Sequence, residues 1–545
     1  MLQRFWLLLL LIPCSRASLA EPALAATTPD TGGRVVLVLP FDNRSGQTNL
    51  DWVGNSFPDT LNQRLTSAGF LAISRDDRQY ALDHLGLPVD FRPSRATTIR
   101  IAQTLDADFV IVGSYTVVNG RISVQAQVLD VNQLRLSLPL TDSSELPRLF
   151  DVENAIAWKV ARQIDPHFSV AEQTFLASSG SIQLSSFENY IRGTDATTPQ
   201  ERIKRLQMAV QSAPNYTAAL LALGKEQFAE REYDQAATTL SKIPSTDRRA
   251  LEAGFYLGLA RFNSAKYAEA ESAFAFVASR LPLPEVVNNQ GVASSRQGHD
   301  AAALFQRAST ADPNDPDYHY NAAVALLRRG DIAGAQREVE FTLKLRPADA
   351  EAAALKARIS SGRSISPSTN PGTPAMGSAS DQAGTQDFDP LERVRRTYSE
   401  ASFRQAAFQL DQMRAMRMAT LPPAEQAAQY TQLGQDYLAQ GLIPEAEQEF
   451  QAAIAADSTN AAAHAGLAQV RERSGNADDA RREAATSIDL HPNVVAYLVL
   501  ARIELQAKRL PESATEVSKA LQLEPGNTAA QGMRQALQAH GQSLP

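Results

Sequence analysis

From about Ser186 onward the chain repeats itself with a period close to 34 residues, and that recurrence rules out a single-core fold for the larger part of it. Gly224, Gly258 and Gly291 are 34 and 33 residues apart, and Ala323 follows 32 later. Ala236, Ala270, Ala301 and Ala335 form a second ladder, with steps of 34, 31 and 34. Pro214, Pro282, Pro313 and Pro347 form a third. A unit of this length is one helical hairpin, whose apolar faces are covered only when the next hairpin stacks on it. The small residue on the first helix lets the second helix come close. Phe274 and Phe305 stand four residues after an alanine of the second ladder and fill the space between hairpins. A proline beyond the second helix cannot continue it and sets the turn into the next unit.

Residues 361–388 interrupt the pattern. Ser, Gly, Pro and Thr dominate there with almost nothing to bury, which reads as a disordered linker. The ladder then resumes with Gly434, Tyr437, Gly441, Ala446, Phe450 and Ala453, followed by Ala480, Pro492, Ser513 and Pro525. Clear units span 215–248, 250–283, 284–315, 317–350, 426–459, 460–493 and 494–527, with degenerate ones at 186–214 and 390–421. Leu433-Gly434, Tyr437, Ala446 and Phe450 resemble the signature of tetratricopeptide repeats, with Ser458 in place of the final proline. The resemblance implies an all-α superhelical solenoid that binds other proteins or peptides. Two arrays are expected: 186–360, with four to five repeats and a capping helix, and 390–535, with three clear repeats and a degenerate one. Residues 536–545 form a tail.

Ahead of the arrays the signals change to strands. Arg34 to Pro40 is a continuous apolar run of strand length, ended by a turn-rich stretch from Asp42 to Gly46. Phe57, Leu61 and Leu65 carry helical spacing, Phe70 to Ser74 reads as a second strand and Phe109 to Val112 as a third. A helix begins near Ser94. Tyr115–Val118 and Arg121–Leu129 are joined by Asn119-Gly120, a strong hairpin signal. A helix from Leu146 to Ile164 closes a mixed α/β, sandwich-like domain over 34–166, and the chain as a whole is an α+β multidomain protein. The runs Val38 to Gly46 and Ala107 to Tyr115, with Ser186-Phe187-Glu188-Asn189-Tyr190 after them, are similar to the TolB amino-terminal-like, FlgO-type domain of bacterial envelope proteins. That resemblance implies a bacterial source and a non-catalytic module.

The first residues read as an export signal: Arg4, then the apolar run Phe5 to Ile12, then the small-x-small site Ser18-Leu19-Ala20. Cleavage is placed after Ala20, or later after Ala25 or Ala26, leaving a flexible leader at 21–33. The apolar run is shorter than the ~20 residues a membrane-spanning helix needs. Cys14, the one cysteine, has two readings. Leu11-Ile12-Pro13-Cys14 loosely resembles a lipidation site, but Pro13 stands where a small residue is wanted; the other reading removes Cys14 with the signal. The expected location is the periplasm, with secretion or outer-membrane association as alternatives. Membrane contact would then come through a partner or a lipid at Cys14.

With 44% hydrophobic and 21% charged residues the chain is a folded protein, and a net charge of −8 argues against a duplex nucleic-acid binder. No phosphate loop, nucleophile elbow or zinc-binding helix motif occurs, and the seven histidines are scattered, so no catalytic residue, metal or cofactor is expected. Repeats of this kind bind along the face lined by their first helices. Unit by unit this points to Tyr320, Val324 and Arg328, and to Thr431, Gln435, Leu438, Gln469, Glu472 and Arg473. Asp42, Asn43 and Arg44 follow the first strand, where open α/β sheets bind ligands, although Asp and Asn also serve as plain turn formers. Leu391, Val394, Tyr398 and Ala401 make a helical apolar stripe beside Arg393, Arg395, Arg396, Arg404, Arg414 and Arg417, with Met413, Met416 and Met418 further on. It reads either as a degenerate repeat or as a site for an acidic partner or membrane surface. The leading function is an exported, non-catalytic adaptor in the cell envelope. The alternative is a ligand-sensing or envelope-assembly protein whose α/β domain binds a small molecule or envelope component.

Overall fold

A computed structural model describes residues 34–87, 94–177, 182–361, 390–396 and 400–545. The export signal, Cys14 and the leader, the linker from 362 on, and Tyr398 lie outside the described residues.

The α/β domain is built on β1 (Val35–Val38), β2 (Asp42–Asn43), β3 (Leu71–Ala72), β4 (Phe109–Val118), β5 (Arg121–Asp130), β6 (Arg135–Leu136) and β7 (Leu140–Glu145). The order is β3-β1-β4-β5-β6, with β2 also on β4 and β7 also on β5. β1 runs parallel to β3 and β4, whereas β4 and β5 pair antiparallel from Phe109↔Asp130 to Val118↔Arg121. Asn119 and Gly120 turn between them at φ 50° and 77°, the positive angles of a two-residue hairpin. The third strand and the first hairpin strand expected from the sequence form one strand. Gly113 lies at the join and gives its Cβ space to the Phe41 ring, so the ladder continues past it. The polar edge strand β7 carries no apolar pattern and was invisible in the sequence.

α1 (Asp51–Ser67) and α4 (Leu149–Ile164) cover one face of the sheet, and α2 (Arg75–His84) and α3 (Arg95–Thr104) the other. The core on the α1/α4 side does not stop at the domain boundary. Through α5 (Glu172–Ala177) it runs on into α6 (Leu184–Asp195), α7 (Pro199–Ser212) and α8 (Thr217–Ala229). Trp52 meets Phe187 edge-on at 6.3 Å, and both belong to one apolar cluster with Val36, Leu206 and Leu223.

The hairpins α6/α7 and α8/α9 (α9, Tyr233–Leu240) are followed by α10/α11 (Ala250–Asn263, Tyr267–Arg280), α12/α13 (Pro284–Ser295, Ala302–Ala311), α14/α15 (Pro316–Arg329, Ile332–Leu345) and the single helix α16 (Ala350–Ser360). After the gap come α17 (Glu400–Ala419), three hairpins α18/α19 (Pro423–Ala439, Ile443–Ala456), α20/α21 (Ala461–Arg473, Ala477–Leu490) and α22/α23 (Val494–Gln506, Leu510–Leu523), and α24 (Thr528–Ala539). Pro214, Pro282, Pro313, Pro347, Pro492 and Pro525 each stand two residues beyond the last residue of a helix, and so does Ser458. Ala236, Ala270, Ala335, Ala446 and Ala480 are fully buried, as are Phe274, Phe305 and Phe450. The glycine ladder works through side chains. A Cβ on Gly224 would meet Leu240 at 2.5 Å, on Gly258 Phe274 at 2.6 Å and on Gly291 Phe305 at 2.8 Å. Phe450 fills two such notches, Gly434 in its own hairpin and Gly466 in the next, beside Tyr437.

Two expectations about the join between arrays differ from the structure. Residues 390–396 are not helical, and 390–421 is not a hairpin: an extended segment precedes the lone helix α17. A helix would use the backbone groups of 393 and 395 internally, and here other side chains take them. The second array also folds back on the α/β domain. Glu447 is fully buried between Arg471 at 2.7 Å and the backbone N–H of Ala171 at 3.0 Å, and Arg248 joins Glu445 (2.6 Å) to Ser67 (3.0 Å).

Candidate functional site

The first helices of the last two hairpins of the first array, α12 and α14, form the floor of a groove that holds residues 390–396 in extended form. Asn289 and Asn321 hold its backbone. The Asn321 carboxamide accepts from the Arg393 N–H at 2.7 Å and donates to the Arg393 carbonyl at 2.8 Å. Asn289 does the same to Arg395, at 2.8 Å both ways. Residues two apart on an extended chain turn the same way, so two carboxamides read alternate residues as a neighbouring strand would. Asn289 and Asn321 are 32 residues apart, the same step as Gly291 to Ala323, and so hold matching places in successive repeats. Asn288 braces the pair, accepting from Asn321 at 2.7 Å and donating to the Arg393 carbonyl at 3.0 Å. All three asparagines are at most 1% exposed, which is costly for a carboxamide unless its hydrogen bonds are made.

The side chains of the segment meet opposite charges at its two ends. Glu392 is buried, accepts hydrogen bonds from Ser295 and Arg328, and lies 4.0 Å from Arg296. Arg328 also donates to the Pro390 carbonyl at 3.0 Å. Arg296 and Arg328 are again 32 residues apart, so the carboxylate sits between matching arginines. Arg393 lies over the Tyr320 ring at 3.8 Å and forks onto Asp349 at 2.7 and 2.8 Å, with Asp317 at 2.9 Å and Glu351 at 2.8 Å. A planar guanidinium satisfies stacking and forked hydrogen bonding at once, which an ammonium cannot. Arg395 pairs with Asp315 beside the Tyr318 ring. Val394 packs against the apolar clusters around Val324 and Phe274.

Two of the four acidic side chains of the groove are helix caps. Asp315 caps α14 and Asp349 caps α16, each accepting a backbone N–H of its own first turn. Their remaining charge faces the arginines. Hydrogen bonding from Arg393 holds the Asp349 carboxyl down at about 2. Burial works against the Arg393 charge, but the bonds to Asp349, Glu351 and Asp317 outweigh it and hold its pKa above the ordinary arginine value.

Of the residues expected to line a binding face, Tyr320, Val324 and Arg328 converge on this groove. Those of the second array do not form a comparable site. Thr431 is buried and donates to the Ala427 carbonyl of its own helix at 2.7 Å, and Leu438 belongs to the core beside Phe450. Gln435 is exposed and Gln469 half-buried. Glu472 pairs with Arg502 at 2.6 Å, and Arg473 donates to the Leu438 carbonyl at 3.1 Å. In the α/β domain, Asn43 spends its carboxamide within the turn, on Gln47, Asp51 and Ser45, while Asp42 and Asn43 pair with β4 and the Arg44 N–H donates to Tyr115 at 2.8 Å. The asparagines were missed. Their legible signal was three poor helix formers inside first helices, two of them at the repeat step.

Profiles of the tetratricopeptide repeat match residues 293–359, 431–495 and 467–528, so the chain carries tetratricopeptide repeats in both arrays. No curated protein matches the chain. Among solved structures it is similar to MamA (19% identity over 28% of this chain and 91% of that one, TM-score 0.26). It is also similar to YrrB, described as a tetratricopeptide protein with an unusual peptide-binding site (16% identity, 37% and 99%, TM-score 0.28). A third likeness is to the LpoB C-terminal domain from Salmonella enterica (23% identity, 21% and 83%, TM-score 0.18).

Proposed function

We propose that this chain is an exported, non-catalytic adaptor of a bacterial cell envelope, in which the first array binds an extended segment of a partner protein. The observation that carries this reading is the pair of buried asparagines, Asn289 and Asn321, spending both ends of each carboxamide on the backbone of an extended segment. Recognition through backbone groups gives affinity, and the flanking arginines and carboxylates add a side-chain preference. Export rests on the amino-terminal Arg4, apolar run and Ser18-Leu19-Ala20 site. The α/β domain, proposed as TolB-like, shares its core with α6–α8 and so gives the first array a fixed base.

The test is recovery of partners from an envelope fraction with the full chain, beside an Asn289→Ala/Asn321→Ala chain and a Gln435→Ala chain. A partner held by the wild type and by Gln435→Ala, but lost from the double variant, supports the adaptor reading. Partners retained equally by all three chains would remove the first groove from it.

A further inference from the structure

We infer that residues 390–396 are an intrachain competitor for the groove, so that an outside partner enters only by displacing them and must present the same chemistry: an extended segment with a carboxylate, then an arginine, an apolar residue and a second arginine. This rests on the groove being a peptide site, and it adds the class of partner and the regulation. The pattern is read from what each position meets. Glu392 faces Arg296 and Arg328, Arg393 faces Asp317, Asp349 and Glu351, Val394 enters an apolar cleft, and Arg395 faces Asp315. An acidic peptide would set carboxylates against the acidic end of the groove. A uniformly basic one would set a cation against Arg296 and Arg328. Only alternation in this order satisfies both ends, while Leu391 and Arg396 are exposed and unread.

The occupant belongs to the same chain, joined through residues 362–389 to α16, which itself forms part of the acidic wall. A tethered ligand acts at roughly millimolar effective concentration. An outside segment of equal intrinsic affinity therefore binds with an apparent affinity weakened by the ratio of that concentration to its own dissociation constant. A partner gains entry by being tethered as well, by making contacts beyond the groove, or by drawing on α17, which follows the segment and exposes Met413 and Met416.

The test uses the full chain and a labelled synthetic peptide with the sequence of residues 390–396, followed by fluorescence anisotropy. An Arg393→Glu/Arg395→Glu chain sets like charges against Asp315, Asp317 and Asp349 and expels the tethered segment while leaving the groove intact. The peptide is expected to bind this variant at least ~10-fold more tightly than the wild type. Adding Asn321→Ala should remove that gain. A charge-exchanged peptide, with Glu392→Arg, Arg393→Glu and Arg395→Glu, should bind at least ~10-fold more weakly than the original. Equal binding to wild type and variant would overturn intrachain competition while leaving the groove a peptide site. Equal binding of the exchanged peptide would overturn the stated chemistry. No binding to a variant whose helical circular dichroism is intact would overturn this inference and the peptide-site reading together. A wild type that sediments as a dimer and a variant that sediments as a monomer would place the segment in the groove of a second copy, against the intrachain assignment.

Discussion

The two arrays share a scaffold and differ in what their first helices offer. Residues 145 positions apart hold matching places: His319 and His464, Gly330 and Gly475, Ala335 and Ala480, Glu338 and Glu483. Both histidines bridge in the same way, Nδ1 to the glutamate at 2.7 Å and Nε2 to a backbone carbonyl, of Pro313 at 3.0 Å or Ser458 at 3.2 Å. In that register Asn321 corresponds to Gly466, and one repeat earlier Asn289 corresponds to Gln432, which is exposed and bonded to Asp436 of its own helix. The caps differ too. Asp315, Asp331 and Asp349 cap helices of the first array, whereas Asn460, Asn476, Asn493 and Asn527 cap those of the second. Both residue types cap helices, so at Asp315 and Asp349 the choice of aspartate adds charge to the groove, which Asp317 and Glu351 complete. The lesson is that scaffold and specificity occupy separate positions of the repeat.

The largest expected effect tests the shared scaffold. Phe305→Ala and Phe450→Ala should each cost about 3–5 kcal/mol in local stability by hydrogen exchange, with Phe450 the costlier because it fills notches at both Gly434 and Gly466. A small loss at one alone would break the equivalence. Next, Gly466→Asn, which copies Asn321 into the second array, should fail to create a groove and should destabilise by about 1–3 kcal/mol, because its Cβ would lie 2.3 Å from the Phe450 ring. A stable variant that binds the 390–396 peptide would show the difference to be a single residue deep. Asn321→Ala should cost the bound segment about 1–3 kcal/mol of protection at the Arg393 amide, while Gln432→Ala stays within about 0.5 kcal/mol.

The smallest effects are those of pH. The hydrogen bond to Glu338 is the main cause that raises the His319 pKa above its ordinary value. A raised histidine contributes its stability in full below about pH 6.5 and loses it as pH rises through the higher folded value. Protection across α14 and α15 should therefore fall as pH rises above about 6.5, and His319→Gln should flatten the profile. For Asp349 the sign is opposite. Its contribution is complete above the ordinary carboxylate range and is lost as pH falls toward about 2, so protection of the Arg393 amide should weaken in acid; unchanged protection at that pH would separate occupancy from the Arg393–Asp349 pair.

Much of this was open to reading from residues alone, because periodicity acts locally. A glycine notch, an alanine, a phenylalanine and a turn proline each do the same work in every repeat, so their spacing fixes the stacked hairpins whatever surrounds them. Asn119-Gly120 fixes the β4–β5 hairpin for the same reason. The segment after the linker misled, because Leu391 and Val394 do have helical spacing. What that pattern cannot carry is the competing offer from Asn289 and Asn321, which lie about 70 to 106 residues earlier and take up the backbone groups a helix would have used.

The sequence by itself determined the repeat, its hairpins and the break between the arrays, since each follows from contacts within one or two units. Only the tertiary structure decided that the first groove is filled by the chain's own Glu-Arg-Val-Arg segment and that the second array rests on the α/β domain. Those contacts join residues far apart along the chain. Their free energy depends on side chains meeting in space, and no local spacing records such a meeting.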